Sequence, residues 1–265
     1  MSGKVVVRQF GGPEVLEWEE TTPPVPGPGE VLVRHAAIGL NFIDVYHRIG
    51  LYKAQSPLPF TPGVEAAGAI EALGADVNGF QKGDRVAYFK PGDPGAYAER
   101  RVVSTARLVK LPDALDDKTA AAALLKGATA EYLVHRAYPV KKNDWILLHA
   151  AAGGVGLLAA QWLKALGARV IGTAGSEEKA ALAKANGCEH VILYNTENVA
   201  EQVKALTGGR GVDVVYDSVG KSTIEASLAS LRPRGLMVSF GNSSGAVPPI
   251  APLELGGKGS LFLTR

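Results

Sequence analysis

Trp145-Ile146-Leu147-Leu148-His149-Ala150-Ala151-Ala152-Gly153-Gly154-Val155-Gly156 is the stretch that decides the fold. It opens with a short apolar run, passes through a row of small residues, and enters a nearly all-apolar segment from Gly154 to Leu166. Gly167 then offers the left-handed stop that ends many helices. The pattern predicts a strand over Trp145–His149, a tight turn, and a helix over Gly154–Leu166. Ala151-x-Gly153-x-x-Gly156 sits at the junction. A Cβ here would block the turn and hold the backbone away from a pyrophosphate, whereas bare N–H groups at a helix N-terminus face phosphates. A strand–helix turn without a ligand accounts for one glycine, not for four small residues in a row. The motif therefore predicts dinucleotide binding, with Ala152, Gly153, Gly154 and Val155 at the pyrophosphate.

Strands and helices alternate on the C-terminal side. Strands are expected at Arg169–Thr173, Val191–Tyr194, Val212–Tyr216, Leu236–Phe240 and Ser260–Leu263, with helices from Ser176 to Asn186, near Val199–Leu206 and near Ser222–Leu231. Six strands with helical crossovers imply a parallel, doubly wound sheet with right-handed connections. Residues 126–265 are thus expected to form a Rossmann-type domain. Residues 1–125 read differently. They hold most of the 16 prolines, and short β-type runs (Lys4–Phe10, Glu30–Ile38, Gly63–Glu71, Arg85–Tyr88, Ala96–Val103) lie between Gly/Pro turns. That is the pattern of an irregular, barrel-like β domain, interrupted by one helix near Phe42–Ile49.

The second strand of the doubly wound half chooses the dinucleotide. A site for NAD ends that strand with an acid that bonds the ribose hydroxyls. Here it ends Ile171-Gly-Thr-Ala-Gly-Ser176, and the acid's place, about Ala174, is uncharged. Gly175, Ser176 and Lys179 suit a 2′-phosphate instead: the lysine supplies charge, the hydroxyl and nearby N–H groups supply directed bonds. Glu177 and Glu178 argue the other way, unless they point to solvent from the first helical turn. NADPH is preferred over NADH.

Composition narrows the remaining classes. The 265 residues carry 28 Lys+Arg against 26 Asp+Glu, a net charge of +2, which gives no nucleic-acid footprint. With 46% hydrophobic and 20% charged residues the chain reads as globular. A single Cys excludes a disulfide framework or a multi-cysteine zinc site. Its longest apolar run, Ala150 to Leu163, is glycine-broken and too short for a membrane span, and no leader segment shows, so a cytoplasmic protein is expected.

A family resemblance rests on Asn143-Asp144-x-x-Leu147, Ala151-Ala152-Gly153-Gly154-x-Gly156, Gln161 and Lys164. It extends to Asn41-Phe-Ile-Asp44, Tyr46, Pro62-Gly63-Val64-Glu65-Ala-Ala-Gly68, Gly83-Asp-Arg-Val86, Tyr97-Ala-Glu99, Asp217-Ser-Val-Gly220 and Ser239-Phe-Gly-Asn242. In order and spacing these resemble the zinc-independent quinone oxidoreductases (zeta-crystallin-like) of the medium-chain dehydrogenase/reductase superfamily. The resemblance implies an α/β protein: a GroES-like β-rich catalytic domain plus a Rossmann doubly wound parallel sheet. It implies transfer of hydride or electrons from NADPH to a quinone or other small electrophilic carbonyl compound. It places Asn41, Tyr46 and Tyr52 at nicotinamide and substrate, with the tyrosine hydroxyls as bond or proton donors, and Asp44 in a structural role. Thr129 is carried over to the nicotinamide side and Tyr194 to the adenine side, although a strand tyrosine can equally be core. Ser218, Gly241, Asn242 and Ser243 fall at the carboxyl ends of the fourth and fifth strands, where open sheets bind ligands.

The zinc-dependent relatives hold a His ligand where Val64 stands and a Cys near Asn41. The five histidines lack metal-type spacing, and Cys188 reads as packing, so no metal is expected. Without a Lewis acid, a quinone suits the scaffold better than an alcohol, because its hydroquinone anion is delocalised. Family members continue past the sixth strand with a segment returning to the first domain; this sequence stops at Leu263-Thr-Arg265, so the resemblance implies a chain lacking that segment. Family members also pair through the sixth-strand edge, so a homodimer is expected. Two other readings stay open: an enone or enal reductase on the same scaffold, and a catalytically weak NADPH-binding protein with a structural or RNA-binding role.

Overall fold

The computed structural model describes residues 1–52 and 57–265. The chain divides into two compact units, Met1–Leu125 and Lys126–Arg265.

In the first unit, β1 (Ser2–Val6) and β2 (Glu17–Thr21) form an antiparallel pair. β3 (Glu30–Gly39) leads to helix α1 (Phe42–Arg48), followed by β4 (Glu65–Leu73), β5 (Arg85–Phe89), β6 (Arg100–Ser104) and β7 (Val109–Lys110). These five strands make an antiparallel sheet in the order β6-β3-β4-β5-β7. Alternate residues of β3 and β4, including Val31, Val33, Ala66 and Ile70, point into one core with Val86, Tyr88 and Val103. Ala67 and Ala87, on the other face, pack on Ala120 and Ala121 of α2 (Asp117–Tyr132).

Several edges differ from the sequence expectation. The run Lys4–Phe10 is strand only over Ser2–Val6, with one bridge from Val7 to Phe60. The run Ala96–Val103 is regular only from Arg100, because Ala96 and Tyr97 instead bond back to Gly63 and Pro62. Gly63 adopts φ +88, and a Cβ there would sit 2.2 Å from the Tyr97 ring, so only glycine permits this closure. Strand β2, Glu-Trp-Glu-Glu-Thr, gave no signal, since glutamate is rare in strands. Helix α2 was not foreseen either.

In the second unit, a π-helical turn (Leu133–Ala137) precedes β8 (Trp145–Leu148), α3 (Gly154–Ala165), β9 (Arg169–Ala174), α4 (Glu177–Ala185), β10 (His190–Leu193) and α5 (Val199–Leu206). β11 (Val212–Asp217), α6 (Ile224–Ser230), β12 (Leu231–Ser239), α7 (Pro252–Gly257) and β13 (Phe262–Thr264) complete it. All six strands are parallel, in the order β10-β9-β8-β11-β12-β13. The order reverses between β8 and β11, the switch point where such sheets hold ligands. The sheet is buried on both faces. Ile146 and Leu148 face a core with Ala159, Ala160, Leu163 and Tyr216, while Leu147 faces Ile171, Val215, Leu228 and Met237. Helix α3 buries Gly156, Ala159, Ala160 and Leu163, the i, i+3, i+4, i+7 stripe of an amphipathic helix, and Gly167 caps it at φ +76.

One strand boundary corrects the sequence reading. Leu231 was expected to end a helix and Leu236 to begin a strand. β12 instead starts at Leu231, with a register shift against β11 between Val212 and Val214, and Arg234 takes φ +57 in the irregular stretch.

Candidate active site

Geometry at the C-terminal edge of the parallel sheet is built from the turn after β8. Ala150 holds φ +51, its carbonyl accepts the Gly153 N–H at 2.8 Å, and the chain enters α3. Gly153 caps α3 with no side chain bonding the first turn. Gly153 and Gly154 are exposed and Val155 half-buried, so the first-turn N–H groups point at an open surface. A Cβ on Gly156 would lie 2.4 Å from the Ala150 carbonyl oxygen, and one on Gly154 would meet the Lys126 methylenes at 2.8 Å. Lys126 and Thr129 lie on α2, and Lys126 thereby packs on the glycine turn. Ala152 is half-buried behind it.

The end of β9 carries no carboxylate: Ala174 is buried. Ser176 caps α4, its hydroxyl oxygen accepting the Lys179 N–H at 3.3 Å, which leaves the hydroxyl proton to give. Glu177, Glu178 and Lys179 are all exposed in that first turn. Tyr194 is 53% exposed, so it is not a core residue. Its phenol stands against Gly175, where a Cβ would fall 2.5 Å from the hydroxyl oxygen. Asn195, which sequence reasoning passed over, donates to the Gly175 carbonyl at 2.8 Å. Gly175, Ser176, Lys179 and Tyr194 are therefore neighbours.

Beyond β11 and β12 the chain brings Ser218 and Gly241–Ser243 together. The Ser243 N–H donates to the Ser218 carbonyl at 3.2 Å, and a Cβ on Gly241 would strike that same oxygen at 2.5 Å. The buried Asn242 amide donates to the Gly241 carbonyl at 3.1 Å and accepts from Arg265 Nη2 at 2.8 Å. Arg265 also reaches Ser239 Oγ at 3.3 Å. No motif flagged Arg265. His149, read as structural, is buried and bonded to Thr173 and Ser227. Burial pushes the Cys188 thiol up to about 11, which suits packing rather than nucleophilic chemistry.

The first unit holds the aromatic candidates. Asp44 accepts the Asn41 N–H at 2.9 Å, the reach-back bond of a helix-capping box, and the Tyr97 hydroxyl at 2.9 Å. Asp44 thus ties the start of α1 to Tyr97. Burial, then the Asp44 charge, raises the Tyr97 phenol well above the tyrosine range. The Asn41 amide donates to the fully buried Glu65 carboxylate at 2.9 Å, and the other Glu65 oxygen accepts the Leu125 N–H at 2.5 Å. Glu65 belongs to the Pro62–Gly68 motif, and the fold makes it the anchor of Asn41. Tyr46, 7% exposed, lies between Phe42, with ring centroids 6.0 Å apart, and Tyr52, which it meets edge to face at 5.5 Å. Val64 is buried, and among the described residues no three His, Cys, Asp or Glu side chains gather as a metal site.

Residues 27–113 match the "Alcohol dehydrogenase GroES-like domain" and residues 154–261 the "Zinc-binding dehydrogenase" domain. The chain is 52% identical over 265 residues to a quinone oxidoreductase of Pseudomonas aeruginosa, covering 100% of this chain and 81% of the relative. The chain belongs to the quinone oxidoreductases of the medium-chain dehydrogenase/reductase superfamily. An Escherichia coli quinone oxidoreductase solved in complex with NADPH superposes with a TM-score of 0.94 at 46% identity, covering 99% of this chain and 80% of that one. A 2-haloacrylate reductase from a Burkholderia species is 47% identical, over 98% of this chain and 79% of its own length. The α/β class, with a GroES-like unit and a Rossmann-type sheet, is as the sequence implied.

The residues fit NADPH. A bare helix N-terminus would suit a pyrophosphate, and the uncharged end of β9 beside Ser176 and Lys179 would suit a 2′-phosphate, with Glu177 and Glu178 exposed in the same turn.

Proposed function

We infer that this chain is an NADPH-dependent quinone oxidoreductase. The observation that carries the reading is one sheet edge that joins an uncapped, glycine-lined helix N-terminus to a strand end with Lys179 and Ser176 in place of an acid. Identity of 52% to a quinone oxidoreductase supports the substrate class. When bound, NADPH supplies a hydride.

The chain's own residues do the rest. The N–H groups of Gly154 and Val155, behind Ala152 and Gly153, hold the pyrophosphate. Lys179 supplies charge to the 2′-phosphate and Ser176 donates its hydroxyl proton. Gly175 gives the phosphate room beneath Tyr194, which walls the adenine. Ser218, Gly241, Asn242 and Ser243 bound the nicotinamide end, with Thr129 on the same side. Tyr46 and Tyr52 donate hydrogen bonds to the quinone oxygens, and Asn41, braced by Glu65, orients the reacting pair. A quinone accepts a hydride and a proton and leaves as a delocalised hydroquinone, so positioning and donor groups suffice without a Lewis acid.

Two further expectations belong to this reading. A homodimer forms through the edge of β13, where Phe262, Leu263 and Thr264 are exposed. The protein works in the cytoplasm; among the described residues no helix is long and apolar enough to cross a membrane.

The test is NADPH consumption with an ortho-quinone beside an enal and a 2-haloacrylate. Faster turnover of the quinone supports the reading. Preference for either alkene would move the chain to the carbon–carbon double-bond reductases, to one of which, a 2-haloacrylate reductase, it is 47% identical. Tight NADPH binding without turnover would make it a binding protein.

A further inference from the structure

A buried chain of polar groups runs beneath the nucleotide edge of the second unit. Thr173 on β9, His149 after β8, Ser227 on α6 and Asp217 at the end of β11 are all at most 2% exposed. His149 Nδ1 lies 3.2 Å from Thr173 Oγ1, and its Nε2 lies 3.0 Å from Ser227 Oγ. Ser227 Oγ donates to Asp217 Oδ2 at 2.7 Å.

The direction of every proton follows from the acceptor at one end. A carboxylate only accepts, so Ser227 spends its proton on Asp217 and its oxygen must accept from His149 Nε2–H. A neutral imidazole then has a bare Nδ1, which accepts the Thr173 hydroxyl. The Thr173 oxygen in turn accepts the Ala150 N–H at 3.3 Å. Burial first, opposed by the Asp217 charge, pushes the His149 pKa down, in keeping with that neutral ring.

Both ends of this chain terminate on cofactor loops. At one end, Ala150 opens the glycine turn, and the Ala151 N–H is also held by the Thr173 carbonyl at 3.1 Å. At the other, Asp217 Oδ1 accepts the Val219 and Gly220 N–H groups at 2.7 and 3.0 Å, and Oδ2 also takes the Thr223 hydroxyl at 2.7 Å. The loop so fixed carries Ser218, whose carbonyl holds Ser243, and Val219, whose carbonyl holds Ser244 at 2.9 Å. Three loops at the nucleotide edge are thus linked, directly or through one another, to one carboxylate.

We propose that Thr173, His149, Ser227 and Asp217 act as positioning residues, a one-way hydrogen-bond tether that sets the pyrophosphate turn and the Ser218–Gly220 loop in register for one dinucleotide. The proposal rests on the NADPH reading of this edge. None of the four touches the cofactor; they act through the backbone of the loops that do. An apolar filling of the same space would pack equally well but would not aim the loops, because packing lacks the directionality of hydrogen bonds.

Two variants of the full chain separate aiming from packing. In Ser227→Ala the His149 Nε2–H is left without an acceptor, so both stability and NADPH affinity should fall. In the double variant His149→Leu/Ser227→Ala no unpaired imidazole N–H remains, so part of the resistance to urea should return, short of wild type because Thr173 loses an acceptor and Asp217 a donor. The tether stays broken, so the NADPH dissociation constant should remain raised roughly tenfold, and Val219 and Gly220 amides should exchange faster in both variants. KM for NADPH should rise more than kcat falls. A double variant that binds NADPH as tightly as the wild type, or that keeps wild-type exchange at Val219 and Gly220, would overturn the tether. A wild-type chain that does not bind NADPH would remove the cofactor reading on its own, and the exchange rates would still decide whether the loops are tethered.

Discussion

Gly156→Ala tests the glycine turn at its tightest point. In an unconstrained helix the change stabilises by up to ~1 kcal/mol. Here the new methyl would lie 2.4 Å from the Ala150 oxygen, 2.7 Å from the Ala151 oxygen and 2.8 Å from the Ala151 carbonyl carbon. All three are backbone atoms, so no side chain can swing away. A carbon–oxygen contact closes to about 3.3 Å, so the turn must retreat by roughly 0.9 Å. Overpacking of that kind costs ~1–3 kcal/mol, and the retreat weakens the 2.8 Å bond from Gly153 N–H to Ala150, worth about 1 kcal/mol. The net expectation is a loss of about 1–3 kcal/mol despite the better helix former. The same retreat displaces the Gly154 and Val155 N–H groups, and losing one charge-assisted bond raises the NADPH dissociation constant about tenfold or more. Urea unfolding followed by circular dichroism reads the first quantity and an equilibrium NADPH titration the second. A Gly156→Ala chain as stable as wild type and binding NADPH equally well would refute both the packing argument and the placement of the phosphates.

Lys179→Ala should weaken NADPH by ~1–3 kcal/mol and leave NADH nearly unchanged; equal losses in parallel titrations would remove the 2′-phosphate assignment. Tyr46→Phe and Tyr52→Phe should lower kcat with the quinone more than they change NADPH affinity; unchanged rates in both would leave positioning alone. Asp213 gives a pH prediction away from the site. Burial alone would raise its carboxyl, but bonds from Arg210, Arg232 and the Trp145 N–H win and hold it at about 2, below the ordinary 3.8. A depressed pKa stabilises above the unfolded value and the gain is lost as pH falls toward the folded one. With Arg210 half exposed, about 1–2 kcal/mol should disappear as pH falls from 4 towards 2, and urea titrations of Asp213→Asn should show a flatter acid limb than wild type.

The doubly wound half could be read because each of its signals is local. Trp145–Leu148 is apolar on both faces, Gly153 to Gly156 is small, and Ser176 precedes two acids, so strand, turn and cap announce themselves within a dozen residues. The first unit was harder. Its strands are short, and what ends them is tertiary: Ala96 and Tyr97 leave their expected strand because Gly63 and Pro62 offer carbonyls from over 30 residues away. Helix α2 was hidden because Ala120–Ala123 gives no apolar–polar period. At the site, residue types were legible and their couplings were not. Asn41 bonds Glu65 across 24 positions and His149 bonds Ser227 across 78, separations at which sequence carries no periodic signal. Asn195 and Arg265 were missed for the same reason.

The most direct single measurement is the initial rate of NADPH oxidation by this 265-residue chain with an ortho-quinone, beside the same assay with NADH. Saturable, quinone-dependent oxidation of NADPH, well ahead of NADH, is the predicted result. Equal use of both cofactors, or NADPH bound without any quinone-dependent oxidation, would contradict it.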